Sequence, residues 1–159
     1  MNSFEDVYNK YFPRVYSFIF NLCRDSSLSE EITQEAFYRA YVSFDKYNGS
    51  CDIFTWLAAI AKNTYFNYLR KNKIKLVELE EADGQSTESP EDAVFRAFES
   101  RQVQLAINKL PKKYRDVVFL RIYAELPYSE IASYLGICQS SAKVIFHRAK
   151  EMLRKELTV

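Results

Sequence analysis

Apolar residues recur every three or four positions along most of this 159-residue chain. Two runs show this spacing most clearly: the first contains Ile32, Ala36, Ala40 and Phe44, and the second contains Ile53, Leu57, Ile60, Ala61, Thr64 and Tyr68. This period is typical of one face of an α-helix, whereas a half-buried strand alternates every two residues. The pattern therefore predicts an all-α fold.

Capping signals and turns indicate where the first helices begin. Ser3 and Ser27 each precede an acidic residue by three positions, which is the pattern of a helix N-terminal cap. A third helix is predicted from Ile53, after the turn Asn48-Gly49-Ser50. We expect these helices to pack as one small domain over residues 1–71.

The total charge of the chain is +1, but the charges are segregated along it. Residues 1–71 are neutral, residues 72–93 carry a net charge of −5, and residues 94–159 carry +6. The middle segment is also rich in small polar residues. We therefore predict two helical domains joined by a flexible acidic linker, each part with a different kind of partner.

The second domain is predicted to contain a helix-turn-helix. A short helical pattern from Ser129 to Leu135 stops at Gly136, a residue well suited to the left-handed conformation that ends helices. A longer helix follows from about Ser140 to Lys155. A short helix, a glycine-containing turn and a longer helix in this order are typical of DNA-binding domains.

Composition argues against an enzyme. Three glycines cannot form a Gly-rich phosphate loop, and His147 is the one histidine, so we expect no metal, no cofactor and no catalytic residues. No apolar run is long enough to span a membrane, and no secretory signal is recognisable, so a cytoplasmic location is expected. Cys138 precedes the last helix, where a thiolate could be stabilised, but a small buried side chain is the simpler expectation.

The last helix separates apolar from basic residues. Its predicted inward stripe comprises Ala142, Ile145, Phe146, Ala149, Met152 and Leu153. The groups predicted to reach base edges and phosphates are Ser140, Ser141, Lys143, Val144, His147 and Arg148. An ordinary solvated charged face is the alternative, and the preceding short helix and glycine turn favour DNA binding over it.

Two faces of the first domain are candidate binding surfaces. Trp56, Asn63, Phe66 and Arg70 share one face of the third helix, where exposed aromatic and polar groups could stack on unpaired bases. The alternative is that these aromatics are core residues, and Trp56 in particular is expected to be buried. On the second helix, the shared face opposite the core carries Glu31, Gln34, Glu35 and Tyr38, which is either a solvated face or a docking surface for a basic helix.

Several motifs, in order along the chain, resemble those of one protein family. Glu30–Phe37 and Trp56–Asn63 resemble region 2 of bacterial RNA polymerase sigma factors, and Leu110–Arg115, Tyr128–Ala132 and His147–Lys150 resemble region 4. The two domains and the short linker are similar to the extracytoplasmic-function (ECF) group, which keeps only these two regions. The implied function is to direct RNA polymerase to promoters and to assist strand opening.

The resemblance implies a role for each part. Glu31, Gln34 and Glu35 would dock on the clamp helices of the beta-prime subunit of core polymerase. The loop 46–52 and the helix after it would bind the minus-ten element as single-stranded DNA. The residues assigned to this role are Lys46, Asn48, Ser50, Lys62, Asn63, Phe66 and Arg70.

The last helix would read the minus-thirty-five element as duplex, while the same domain meets the beta flap. A cognate anti-sigma factor, which could hold the protein at the membrane, is a further implied partner, and neither a small-molecule substrate nor direct membrane insertion is expected. Where the family commonly has a Gly-Thr-Val-Lys-like run, this chain has Ser140-Ser141-Ala142-Lys143, so the promoter sequence is not predicted. The residues alone also leave open a stand-alone helix-turn-helix regulator that binds duplex DNA without polymerase.

Overall fold

The computed structural model describes residues 3–72 and 102–157, and all regular secondary structure within these ranges is helical. This confirms the all-α prediction. The predicted acidic linker over 72–93 lies outside the described residues apart from Asn72, and so does the first part of the predicted second domain.

Three helices form the first domain. These are α1 (Phe4–Cys23), α2 (Ser26–Val42) and α3 (Ile53–Lys71), and a 3₁₀ turn (Phe44–Lys46) precedes the loop that leads into α3. Each helix packs against the other two. The buried side chains that join them include Val7, Val15, Ile19, Ile32, Phe37, Ala40, Leu57 and Ala61.

The helix N-termini follow the sequence signals with one exception. Ser3 caps α1 as predicted, and its hydroxyl accepts a hydrogen bond from the Asp6 N–H at 3.3 Å. The predicted cap at Ser27 is wrong, because Asp25 caps α2 by accepting from the Leu28 N–H at 3.0 Å. Arg24 ends α1 in the left-handed conformation with φ of 58°, and the extended Asp25 then begins the next helix two residues earlier than predicted.

Four helices form the second domain within the described residues. These are α4 (Val103–Asn108), α5 (Lys112–Val118), α6 (Tyr128–Leu135) and α7 (Gln139–Leu157), and α5 continues as a π-helical segment (Phe119–Tyr123). The helix α7 packs against the other three. One face of α7 therefore faces the domain core, and the opposite face is exposed to solvent.

The helix-turn-helix consists of α6 and α7. Gly136 ends α6 in the left-handed conformation, with φ of 71°, as the sequence predicted. The Ile137 N–H donates to the Ala132 carbonyl at 3.0 Å, which closes the turn. This geometry sets the direction in which α7 leaves the turn.

The two domains are packed against each other through α3. The predicted core positions Leu57, Ala61 and Thr64 are buried, as expected for the side that faces α1 and α2. A second side of α3 is also buried, because α3 contacts α6 and the π-helical segment of the second domain. The sequence pattern did not predict this second buried side.

Candidate nucleic-acid interface

The helix α7 exposes the side chains predicted to read duplex DNA. Lys143, Val144, His147 and Arg148 are exposed, as is Ser140, while the side chains buried beneath them are Ala142, Ala149 and Leu153. Ser141 is half-buried. Met152 is the exception to the predicted inward stripe, because its side chain is exposed. Within the described residues this basic face is therefore open to solvent, where a major groove of DNA could approach it.

Cys138 lies at the N-terminal end of α7 and is exposed, so the expectation of a buried side chain is wrong. Its Sγ atom lies 3.2 Å from Ser140 Oγ and 3.1 Å from Ser141 Oγ. Hydrogen bonds from Ser140, and then from Ser141, lower the pKa of the Cys138 thiol to about 7. The side chain is not buried because the turn after Gly136 carries it away from the domain core.

Local hydrogen bonds shape the loop before α3. Asn48 Oδ1 accepts from the Ser50 N–H at 3.0 Å, and Gly49 adopts a φ of 78° between them. The Tyr47 hydroxyl donates to the Cys51 carbonyl at 2.5 Å. Asn48 and Ser50 are exposed, as is Lys46 before them, so these three predicted DNA contacts lie on the surface together.

Aromatic rings stand beside this loop. The ring centroid of Trp56 lies 5.3 Å from that of Tyr47 and 6.3 Å from that of Phe44. Trp56 is half-buried rather than fully buried, so one side of this aromatic group is accessible. Rings in this position are suited to stacking on a base displaced from duplex DNA.

The remaining predicted minus-ten residues on α3 fall into two groups. Asn63 and Arg70 are exposed, as predicted. Lys62 and Phe66 are only 1% and 8% exposed, so the expected exposure of these two side chains is wrong in this conformation. The physical reason is the second domain, which packs on the same side of α3.

Asp116 of α5 is the partner of Lys62. Lys62 Nζ lies 2.6 Å from Asp116 Oδ1, and both side chains are buried. Burial lowers the pKa of Lys62, and the nearby Asp116 carboxylate opposes that change. The neighbouring Phe66 contacts the Phe119 ring at 4.7 Å between centroids, edge to face, and the Arg115 guanidinium lies 5.2 Å from the Phe66 centroid.

Glu130 of α6 occupies the N-terminal end of α3. Its Oε2 atom accepts from the Asp52 N–H at 2.9 Å and from the Thr55 hydroxyl at 3.0 Å. Gln104 of α4 adds a third polar link, because its Nε2 donates to the Leu22 carbonyl at 2.6 Å. Sequence reasoning missed these inter-domain residues, since nothing in their local pattern identifies a partner in the other domain.

The predicted docking face of α2 is also exposed. Glu31, Gln34 and Glu35 line an open groove of about 390 Å³ between α2 and the C-terminal half of α3. Tyr38, at 64% exposure, extends the same face. Glu35 Oε1 pairs with Arg39 Nε at 3.0 Å, and Lys71 also lines the groove, so the two carboxylates there are matched by two cations.

Comparison with known proteins gives the family. The family model described as Sigma-70 region 2 matches residues 7–74, and that described as Sigma-70, region 4 matches residues 100–153. The ECF RNA polymerase sigma factor SigW of Bacillus subtilis is 34% identical over 98% of this chain and 89% of its own length. The chain belongs to the ECF sigma factors.

Other relatives agree with this assignment. The RNA polymerase sigma factor YlaC of Bacillus subtilis is 30% identical over 99% of this chain and 93% of its own length. As an ECF sigma factor, the protein directs RNA polymerase to promoters. The family consists of regulatory DNA-binding proteins rather than enzymes.

Two solved structures share the fold of this sigma factor. One is the sigma factor RpoE in complex with the anti-sigma factor NepR from Bartonella quintana, with 18% identity, a TM-score of 0.56 and coverage of 100% of this chain and 99% of that one. The other is CnrH in complex with the cytosolic domain of CnrY, with 15% identity, a TM-score of 0.59 and coverage of 98% and 87%. The helical regions 2 and 4 of this sigma factor correspond to the first and second domains described above.

The described part of the sigma factor holds no group of three or more His, Cys, Asp or Glu residues placed to bind a metal ion. Among the same residues, no helix is both long enough and apolar enough to cross a membrane.

Proposed function

We propose that this sigma factor uses three separate surfaces to initiate transcription. Region 2, residues 1–71, docks on core polymerase and binds the minus-ten element as a melted strand. Region 4, residues 94–159, reads the minus-thirty-five element, and the acidic segment 72–93 links the two within the enzyme. The chain makes and breaks no covalent bond, because its contribution is to position DNA and stabilise the open strand.

The observation that carries this proposal is the exposed basic face of α7. Lys143, Val144, His147 and Arg148 project from the second helix of a helix-turn-helix, the helix that enters the major groove in such domains. Lysine and arginine can bind guanine edges or phosphates, and Val144 can contact a thymine methyl group. Ser140 and Ser141 lie at the helix N-terminus, where they can meet the DNA backbone.

The exposed face of α2 supports docking on the beta-prime clamp helices. Glu31, Gln34 and Glu35 are exposed around a groove, and Tyr38 offers an aromatic side chain beside them. Tyrosine is enriched among the residues that contribute most to binding at protein interfaces. A basic residue of the partner helix could pair with Glu31, and the beta flap is the proposed second contact through region 4.

The loop and α3 support binding of the minus-ten element. Lys46, Asn48 and Ser50 are exposed near a half-buried Trp56. The other proposed contacts along α3 are Lys62, Asn63, Phe66 and Arg70. Two weak DNA contacts on one polymerase gain affinity through their effective concentration, so each surface need not bind tightly alone.

An anti-sigma factor is a proposed partner of the free protein. The sigma factor RpoE, which has the same fold, is seen in complex with the anti-sigma factor NepR, and CnrH, which also has this fold, is seen with the cytosolic domain of CnrY. We place the protein in the cytoplasm, associated with the nucleoid when it is part of the holoenzyme. An anti-sigma factor anchored in the membrane would hold it there until it is released.

Strand opening can be tested with 2-aminopurine placed in the minus-ten element of a promoter fragment that this holoenzyme transcribes. Adding core polymerase with the sigma factor should raise the fluorescence as the base unstacks, and core polymerase alone should not. Tight, sequence-specific binding of the same fragment by the free protein, without fluorescence change in the holoenzyme, would instead favour a stand-alone regulator.

A further inference from the structure

We propose that region 4 masks the single-strand-binding side of α3 in the free sigma factor, with two of its carboxylates occupying the positions that DNA phosphates take after opening. This inference rests on the proposed minus-ten role of α3. We call the two contacts the clasp: Glu130 with Asp52 and Thr55, and Asp116 with Lys62.

The masked residues form a continuous stripe. Thr55, Ala59, Lys62 and Phe66 follow one another at intervals of four, three and four residues, so they share one side of α3. All four are buried, although this stripe is not the one that faces α1 and α2. The polar partners of Thr55 and Lys62 come from the second domain rather than from the first.

Glu130 occupies an anion site at the start of α3. The free N–H groups and the dipole at a helix N-terminus favour negatively charged groups, including phosphate. Here the Asp52 N–H and the Thr55 hydroxyl both donate to Glu130 Oε2. The group that accepts these two hydrogen bonds is a carboxylate, and a phosphate oxygen could accept the same two.

Asp116 occupies a second anion site on the same stripe. Lys62 Nζ is a point charge suited to phosphate, and its counter-ion in this structure is the Asp116 carboxylate at 2.6 Å. Thr55 and Lys62 are seven residues apart on α3, roughly 10 Å along the helix axis, so one extended strand could meet both. One turn beyond Lys62, Phe119 and Arg115 cover the Phe66 ring that would otherwise be open to a base.

The clasp is suited to open. Asp116 Oδ1 lies 2.6 Å from Lys62 Nζ and 3.9 Å from Arg115 Nε, so one close ion pair holds this buried carboxylate. Burial also lowers the pKa of Lys62 despite its acidic partner, so desolvation outweighs the attraction. A buried ion pair of this kind adds little net stability, although removing one partner alone is strongly unfavourable.

The test compares two double variants of the full-length chain. D116A/E130A removes both acids of the clasp, and E151A/E156A removes two exposed acids of the same region, so both variants change the net charge equally. Glu151 and Glu156 pair with Arg154 and Lys109 inside region 4. The readouts are the radius of gyration from small-angle X-ray scattering, amide exchange at Asp52, and binding of a short fluorescein-labelled oligothymidine.

Masking predicts that D116A/E130A expands, exchanges faster at Asp52 and binds the oligothymidine about five- to tenfold more tightly than E151A/E156A. That factor is expected when the binding-competent form rises from roughly 10–20% of the population to nearly all of it. Equal affinities of the two variants, or an unchanged radius and exchange rate, would overturn the proposal. If D116A/E130A loses its helical circular dichroism, the same comparison is made with E130A and E156A, because E130A leaves Lys62 paired.

A second variant separates the contact from its charge. K62M/D116L replaces the buried ion pair with apolar side chains, so it should remain as compact as the wild type, whereas D116A alone should expand. Expansion of K62M/D116L to the same extent would contradict the clasp. None of these readouts uses polymerase, so failure of the holoenzyme to open promoters would count against the proposed function and not against this contact.

Discussion

Gln104 Nε2 donates to the Leu22 carbonyl at 2.6 Å and so joins α4 to the last turn of α1. The Tyr65 hydroxyl in turn donates to Gln104 Oε1 at 3.4 Å. One side-chain amide therefore satisfies polar groups from two helices of region 2. The two regions are joined by specific hydrogen bonds as well as by apolar contact.

Replacing Gln104 with Ala should destabilise the packed form. The Leu22 carbonyl would lose its donor, and an unpaired buried acceptor costs about 1–3 kcal/mol. The expected loss lies toward the lower end of this range, because the site is only partly buried. Q102A is the matched control, because Gln102 is exposed and makes no capping hydrogen bond. Urea unfolding should show a lower free energy of unfolding for Q104A only, and equal values for both variants would contradict the role of this link.

Substitutions on α7 should weaken promoter binding by the holoenzyme. K143A and R148A each remove an exposed cation from the proposed DNA face, and a lost base contact costs about 1–3 kcal/mol. If either residue contacts a phosphate, its variant should also reduce the slope of log affinity against log salt concentration by about one. K109A is the control, since Lys109 is exposed in region 4 but pairs with Glu156. If K143A and R148A bind as well as K109A, the assignment of α7 fails.

Tyr38 and Tyr41 offer a matched pair for the docking surface. Both are 64% exposed on α2, but Tyr38 belongs to the proposed docking face, whereas Tyr41 packs edge to face on Phe4 at 5.4 Å. Y38A should weaken binding to core polymerase by about 1–2 kcal/mol or more, as expected for an anchoring aromatic, and Y41A should not. Titration of labelled protein with core enzyme measures this, and the opposite order would place the docking face elsewhere on α2.

Cys138 should react with iodoacetamide at lower pH than an ordinary thiol. Its lowered pKa of about 7 means that the reactive thiolate predominates above neutral pH and is lost as the pH falls below that value. Burial raises the pKa of the Cys51 thiol, so Cys51 should react slowly and at higher pH. In S140A/S141A, the midpoint of Cys138 alkylation should rise toward the ordinary thiol range. A midpoint that stays near 7 would show that these hydroxyls are not its cause.

The sequence predicted the elements whose signals are local. Gly136 identified the turn because a left-handed residue there can end one helix and begin the next, and the structure has this geometry. The basic face of α7 followed from helical spacing alone. Ser27 was a wrong cap because Asp25, two residues earlier, offers a carboxylate once Arg24 turns the chain. Local pattern could not choose between two nearby capping side chains.

The second buried side of α3 could not be predicted from spacing. Lys62 and Phe66 lie at positions where a solvated cation and an exposed ring are as compatible with the pattern as a buried pair. Their burial depends on Asp116 and Phe119, which lie far along the chain and carry no local signal of a partner. Tertiary packing, rather than propensity, decides the environment of this face.

The most direct test of the central claim is transcription in vitro with purified core polymerase and genomic fragments. The wild-type sigma factor should direct core enzyme to start at specific promoters, and K143A should reduce those starts more than K109A does. Core polymerase without the sigma factor should give no such starts. Absence of any promoter-specific start with the wild-type protein would contradict its assignment as the subunit that directs polymerase to promoters.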